Sequence, residues 1–155
     1  MALAIALAMI LSFVESQVPA LVAIPGVKIG FANIAVVFAL YKLGVKEAAL
    51  ISLIRVFLVS LLFGTGMSFL YSVAGAVLSF AGMLALKATK AFSCTAVSVA
   101  GGVLHNIGQI AMACFVLQTD VIRYYLPFLV LSGTLAGVVI GILSSVIIKR
   151  VNIDI

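Results

Sequence analysis

Acidic side chains are nearly missing from this sequence. There are four in 155 residues, Glu15, Glu47, Asp120 and Asp154, and they fall in different segments. Charged residues of both signs reach only 8%. A soluble domain of this length needs far more polar surface to cover its core, so the composition excludes a soluble globular fold and points to a surface that faces lipid. The scattered acids exclude a class of chemistry as well. Chemistry on diphosphates needs Mg²⁺ held by clustered carboxylates, and no Asp-rich motif is present, so a self-contained enzyme of that class is not expected. There is no Walker motif for ATP hydrolysis, and the single His has no nucleophile beside it. Neither catalytic residues, a metal site nor a cofactor is expected. Cysteine is limited to Cys94 and Cys114. Both lie in one apolar segment, too far apart along a helix to bond each other, where thiols act as packing residues and say nothing of redox compartment. No long polar stretch remains for a second domain, so residues 1–155 read as a single transmembrane domain.

What the chain has in abundance is apolar length: 66% hydrophobic residues and a mean hydropathy of +1.44. Six apolar segments run roughly Ala2–Val18, Asn33–Leu43, Glu47–Phe63, Ser68–Leu86, Phe92–Leu117 and Leu126–Ile148. The second is short for a bilayer span unless it reaches back to about Ile29. Gly, Pro and charge separate them: "QVPALVAIPGVKIGFAN", "KLGVKE", "FGTGMS", "KATK" and "QTDVIRYYLP". The first segment lacks the basic start of a signal peptide and carries Glu15, so it reads as a retained helix; its uncharged beginning suggests a longer natural N-terminus. The expected fold is an all-α bundle of six transmembrane helices with both termini cytoplasmic. Orientation comes from the basic residues in short loops. With the N-terminus inside, Lys42, Lys46, Lys87, Lys90, Lys149 and Arg150 are cytoplasmic, and only Lys28 and Arg123 are external. The net charge of +5 is thereby an orientation signal, and nucleic-acid binding is not needed to explain it.

Small residues recur at helical spacing. Gly133, Gly137 and Gly141 are four apart, and Ser68, Ser72, Gly75, Ser79 and Gly82 recur at three or four. Such stripes let backbones approach closely where lipid provides no hydrophobic drive. Against this apolar background a few polar residues stand out. In "GGVLHNIGQIAM", His105 and Gln109 share a helix face, while Asn106 is turned by about 100° toward a neighbouring helix. Glu15 falls in the outer half of the first segment and Arg55 near the middle of the third. Ionisable groups at such depths cost about 2.5–3.5 kcal/mol on the insertion scale and therefore face the interior; pairing Glu15 with Arg55 offsets part of that cost. Two readings follow: a closed polar network that locks the bundle, or a binding cavity open to the outside. The outer-half placement favours the cavity. The long loop "IPGVKIGFAN" carries Lys28 and ends in Asn33, a candidate N-cap. "FGTGM" offers backbone N–H groups near Thr65, and "RYY" adds Arg123 with Tyr124 and Tyr125, which serve equally as interfacial anchors. Candidate ligand-binding residues are Glu15, Lys28, Asn33, Arg55, His105, Asn106, Gln109 and Arg123. The cations among them favour an anionic or acceptor-rich ligand.

The strings "PGVKIGFANI", "RVFLVSLLFGTG", "FLYSVAGAVLSF" and "VAGGVLHNIGQIA" together resemble the Gx transporter family, also labelled heptaprenyl diphosphate synthase component I. That family in turn looks like the substrate-binding S components of energy-coupling factor (ECF) transporters. The resemblance implies a multi-pass protein of the bacterial plasma membrane. It implies a small-molecule ligand held near the outer face, such as a flavin, a quinone or isoprenoid precursor, or a vitamin. It also implies docking on an ECF-type coupling subunit with two ATPases, through an Ala-x-x-x-Ala pattern in the first helix. "MALAIALAM" offers two such pairs. Ala4 and Ala8 lie within about 20° of Glu15, and Ala2 and Ala6 nearly opposite, so Ala2 and Ala6 are the expected docking pair. The label implies an alternative: a non-catalytic membrane component associated with heptaprenyl or polyprenyl diphosphate synthesis for isoprenoid quinones.

Overall fold

The computed structural model describes residues 2–17, 30–64, 66–119 and 121–151. Six α-helices account for most of them: α1 (Ala2–Gln17), α2 (Asn33–Lys42), α3 (Val45–Phe63), α4 (Gly66–Ala88), α5 (Cys94–Leu117) and α6 (Leu126–Arg150), with a short 3-10 helix, Val121–Tyr125, leading into α6. No strand occurs among the described residues. The breaks coincide with the Gly, Pro and charged punctuation. Gly44 turns α2 into α3 at φ +133°, a conformation open to glycine. Ser93 caps α5 by accepting from the Ala96 N–H at 3.2 Å. Pro127 occupies the first turn of α6, where its missing N–H has no helical partner to lose.

Three stretches are long and apolar enough to cross a membrane: Gly66–Ala88, Cys94–Leu117 and Val121–Arg150. The helix α2 does not extend back toward Ile29; it starts at Asn33, with Gly30–Ala32 outside it. Large apolar side chains cover the outside, among them Leu3, Leu61, Phe115 and Leu135, each more than half exposed. A surface of that kind suits acyl chains.

Packing runs in a closed circuit, α2 on α3, α3 on α4, α4 on α5, α5 on α6 and α6 back on α2, with α1 against α2 and α3. Both glycine stripes sit at the closest approaches. A Cβ on Gly137 would lie 2.5 Å from the Val99 Cα, and one on Gly141 2.6 Å from the Thr95 Cα. A Cβ on Gly108 would meet the Ala74 carbonyl oxygen at 2.8 Å. In α4 the stripe divides: Gly75, Ser79 and Gly82 face α5, whereas Ser68 and Ser72 turn into a cavity.

The bundle has two unlike ends. The N-terminal half of α1, the α2–α3 turn, the α4–α5 turn and the C-terminus of α6 lie together, and here the core is apolar: Ala8, Val36, Leu40, Ala48, Ile51, Met83 and Val97 form one cluster. Lys87 clasps this end. Its ammonium donates to the Leu40 carbonyl, which lies in the last turn of α2, and sits 5.1 Å from the Tyr41 ring centroid. Lys42, Lys46, Lys90, Lys149 and Arg150 stand at or beside the helix ends of α2, α3, α4 and α6. Arg123 lies at the opposite end. A cysteine placed at Lys87 and one at Arg123, in chains lacking Cys94 and Cys114, are expected to react with an impermeant thiol reagent from opposite sides of the membrane. Labelling of both from one side contradicts the six-span topology.

Candidate ligand-binding site

Polar side chains gather away from the apolar core, in a two-lobed cavity. The inner lobe, of about 70 Å³, is lined by Gly30, Asn33, Ser98, Gly102, Asn106, Gly133, Gly137 and Ile140. The larger lobe, of about 330 Å³, is lined by Ser12, Val56, Val59, Ser60, Gly64, Ser68 and Ser72. Glu15, Arg55, His105 and Gln109 border both lobes and form the wall between them. A 330 Å³ space is within the range of small-molecule sites.

Each of these four residues is positioned by its helix. Glu15 sits in the last turn of α1, and its carboxylate accepts from the Gly30 N–H. That bond ties α1 to the approach to α2. Arg55 is midway along α3. Its Nε is buried and has no hydrogen-bond partner, and Glu15 supplies an opposing charge. His105 and Gln109 project from α5 toward α4 at Gly75. A Cβ on Gly75 would lie 3.0 Å from the His105 Cε1 and 2.9 Å from the Gln109 Cγ; the missing side chain leaves both groups their room.

Asn106 turns the other way, as its place on the helix requires. Its side-chain amide donates to the Leu129 carbonyl of α6 at 2.6 Å, and Gly133 makes this reach possible, since a Cβ there would sit 2.8 Å from the amide nitrogen. So Asn106 both lines the inner lobe and joins α5 to α6. Asn33 lines the same lobe but does not cap α2. It is the first helical residue; Ala32 occupies the cap position, without a side-chain cap.

Six of the eight candidate residues thus border one cavity: Glu15, Asn33, Arg55, His105, Asn106 and Gln109. Arg123 does not. It lines a separate, open groove with Ile110, Cys114, Phe115, Gln118 and Leu126, because the 3-10 helix leaves it beside the C-terminal part of α5 and away from the bundle interior. Lys28 lies outside the described residues, as do Thr65 and the rest of residues 18–29. The serines of the larger lobe escape a sequence reading. Ser68 and Ser72 belong to a stripe that reads as packing, and Ser12 and Ser60 are single hydroxyls in apolar runs. A signal exists in retrospect for Ser12 alone, three residues before Glu15 and about 60° from its face; Ser60, five after Arg55, falls about 140° away and offers none.

Ala2 and Ala6 are exposed on the outer side of α1, and Ala8 is fully buried on the inner side. Among the described residues, no three His, Cys, Asp or Glu side chains converge to hold a metal ion.

A family model described as heptaprenyl diphosphate synthase component I matches residues 4–147. The chain belongs to the heptaprenyl diphosphate synthase component I family. The same family is the one the four sequence strings resemble. No curated protein and no solved structure matches the chain. The family name ties its members to a synthase complex, as a component and by name; the cavity described above lies within the matched span.

Proposed function

We propose that this protein is a membrane-embedded, non-catalytic binding subunit that takes up a small polar molecule in the two-lobed cavity, in the manner of an ECF S component. The observation that carries the reading is the Arg55 Nε, a buried donor of a charged group that is left without a partner at the wall of a 330 Å³ cavity. Leaving a charged donor unsatisfied costs more than the 1–3 kcal/mol typical of a neutral group, and an intramembrane ionisable residue marks a functional site by default. A bound acceptor removes that cost. The dispersal of the four acids over the chain supports binding without catalysis. The exposed Ala2–Ala6 face supports close approach of a partner helix, such as a coupling subunit driven by two ATPases.

The family name favours a second reading, a membrane partner for a prenyl diphosphate synthase. Small molecules released from the protein after purification in mild detergent distinguish the two. The binding-subunit reading expects one molecule released in near-stoichiometric amount from the native chain and absent from Arg55→Gln. Release of nothing from either, together with stable capture of a soluble synthase subunit, decides for the second reading.

A further inference from the structure

The geometry points to a phospholipid site in the groove beside Arg123: one acyl chain lies along the C-terminal half of α5, and the lipid phosphate meets the Arg123 guanidinium. Among the described residues this groove shares no lining side chain with the two-lobed cavity.

The turn after α5 makes the groove. Gln118 takes the left-handed conformation, at φ +49°, and ends the helix. The 3-10 helix that follows packs on both α5 and α6, and an open space of about 610 Å³ remains between α5 and Leu126. On α5 the lining residues fall in two rows spaced by four, so they share one side of the helix. Ile107, Ala111 and Phe115 form one row, which ends at Thr119; Ile110 and Cys114 form the other, which ends at Gln118. Each row is apolar along its length and polar at the end where Arg123 stands.

That order is the order of a lipid leaflet. From Ile107 to Gln118 the helix rises about 16 Å, close to one leaflet's half of a hydrocarbon core of ~30 Å. Tyr124 and Tyr125, both exposed beside Arg123, belong to the residue types that settle at headgroup level, and they set Arg123 at the depth of the phosphates. There the groove offers hydrogen-bond donors to an anionic oxygen. The guanidinium carries five N–H groups in a fork that suits phosphate, and Thr119 adds a hydroxyl. The Gln118 side chain is held at the mouth by its amide, which donates to the Phe115 carbonyl at 2.6 Å. A hydrocarbon chain alone meets only the apolar rows, and a free phosphate meets only the mouth. A molecule that carries both matches the whole groove.

The test uses the full chain in a maltoside detergent and a phosphatidylglycerol with a photoactivatable diazirine partway along one acyl chain. After illumination, labelled positions are mapped by mass spectrometry. Label is expected on residues 107–126, several-fold above the exposed α3 side chains Leu53, Phe57 and Leu61, which report ordinary lipid contact. Unlabelled phosphatidylglycerol should displace it at roughly a tenth of the concentration that diacylglycerol with the same chains needs, the worth of one charge-assisted hydrogen bond. Glycerol 3-phosphate should not displace it. Arg123→Gln should erase the difference between the two lipids, and Ala111→Trp, which fills the groove from an exposed position, should remove the label. Asp120, three residues before Arg123, lies outside the described residues; Asp120→Asn should keep or raise the preference for phosphatidylglycerol. Label spread evenly over α3 and α5, equal displacement by the two lipids in the native chain, displacement by glycerol 3-phosphate, or a loss in Asp120→Asn as large as that in Arg123→Gln overturns the inference.

Discussion

Gly137→Leu is expected to yield no stably folded protein. The position serves two purposes. On one side a Cβ would lie 2.5 Å from the Val99 Cα and 3.0 Å from the Ser98 carbonyl oxygen, so the obstruction is backbone and cannot rotate away. Overpacking of a well-packed interior costs typically 1–3 kcal/mol when side chains adjust; here the whole of α5 must shift relative to α6. In lipid that contact is held by close van der Waals packing with no hydrophobic drive behind it, so separation removes most of what holds the pair together. On the other side Gly137 lines the inner lobe, and a leucine there fills it. Size-exclusion profile and melting temperature in detergent measure the effect. Gly66→Leu is the control, since a Cβ on Gly66 meets nothing within 4 Å. A Gly137→Leu protein that elutes and melts like the native chain contradicts the packing described.

The second large effect concerns charge. Arg55→Met removes the positive partner of Glu15, whose carboxylate then keeps the Gly30 N–H but loses the opposing charge. Breaking a buried ion pair from one side costs about 3–5 kcal/mol; Glu15 is only half-buried and acts on Arg55 as a nearby opposing charge, which places the expected loss at or below the lower end. Replacing both members removes the uncompensated charge. The double variant Glu15→Gln/Arg55→Met is therefore expected to recover most of the melting temperature lost by Arg55→Met alone, while binding stays abolished in both. Melting curves for the two single variants and the double one measure the coupling. Strictly additive losses show that the two groups do not share an electrostatic environment.

How much of this was legible in the sequence depends on what kind of information each feature carries. Helix limits were, because Gly44, the "KATK" turn and Pro127 are local signals that need no neighbour. The clustering of Glu15, Arg55, His105 and Gln109 was legible through cost: each is too expensive to face lipid, so each points inward, and inward-pointing residues at similar depth meet. The direction of Asn106 followed from helical periodicity alone. Features that depend on tertiary placement were not legible. Arg123 reads as a cavity cation, yet the 3-10 helix sets it over a separate groove. Asn33 has the chemistry of a cap, yet the helix begins one residue earlier than capping requires, and its amide serves the cavity wall. Ser68 and Ser72 share a stripe with Gly75 and Ser79, but the turn of α4 against α5 assigns the first two to the cavity and the others to packing. Serine suits either place, so its identity could not decide.

We propose that His105 and Gln109 line a binding cavity open to water and are not, like Asn106, ties that hold the helices together. Melting temperatures of His105→Leu and Gln109→Leu, each with and without the molecule that co-purifies with the native chain, test it most directly. In a water-filled cavity, water satisfies the groups left behind, so both variants should melt close to the native chain when empty and lose most of the ligand-induced rise, which follows occupancy of the folded state. A closed network predicts the reverse: each substitution leaves a buried partner unsatisfied, at about 1–3 kcal/mol. A large drop in the empty protein with an unchanged ligand-induced rise contradicts the account.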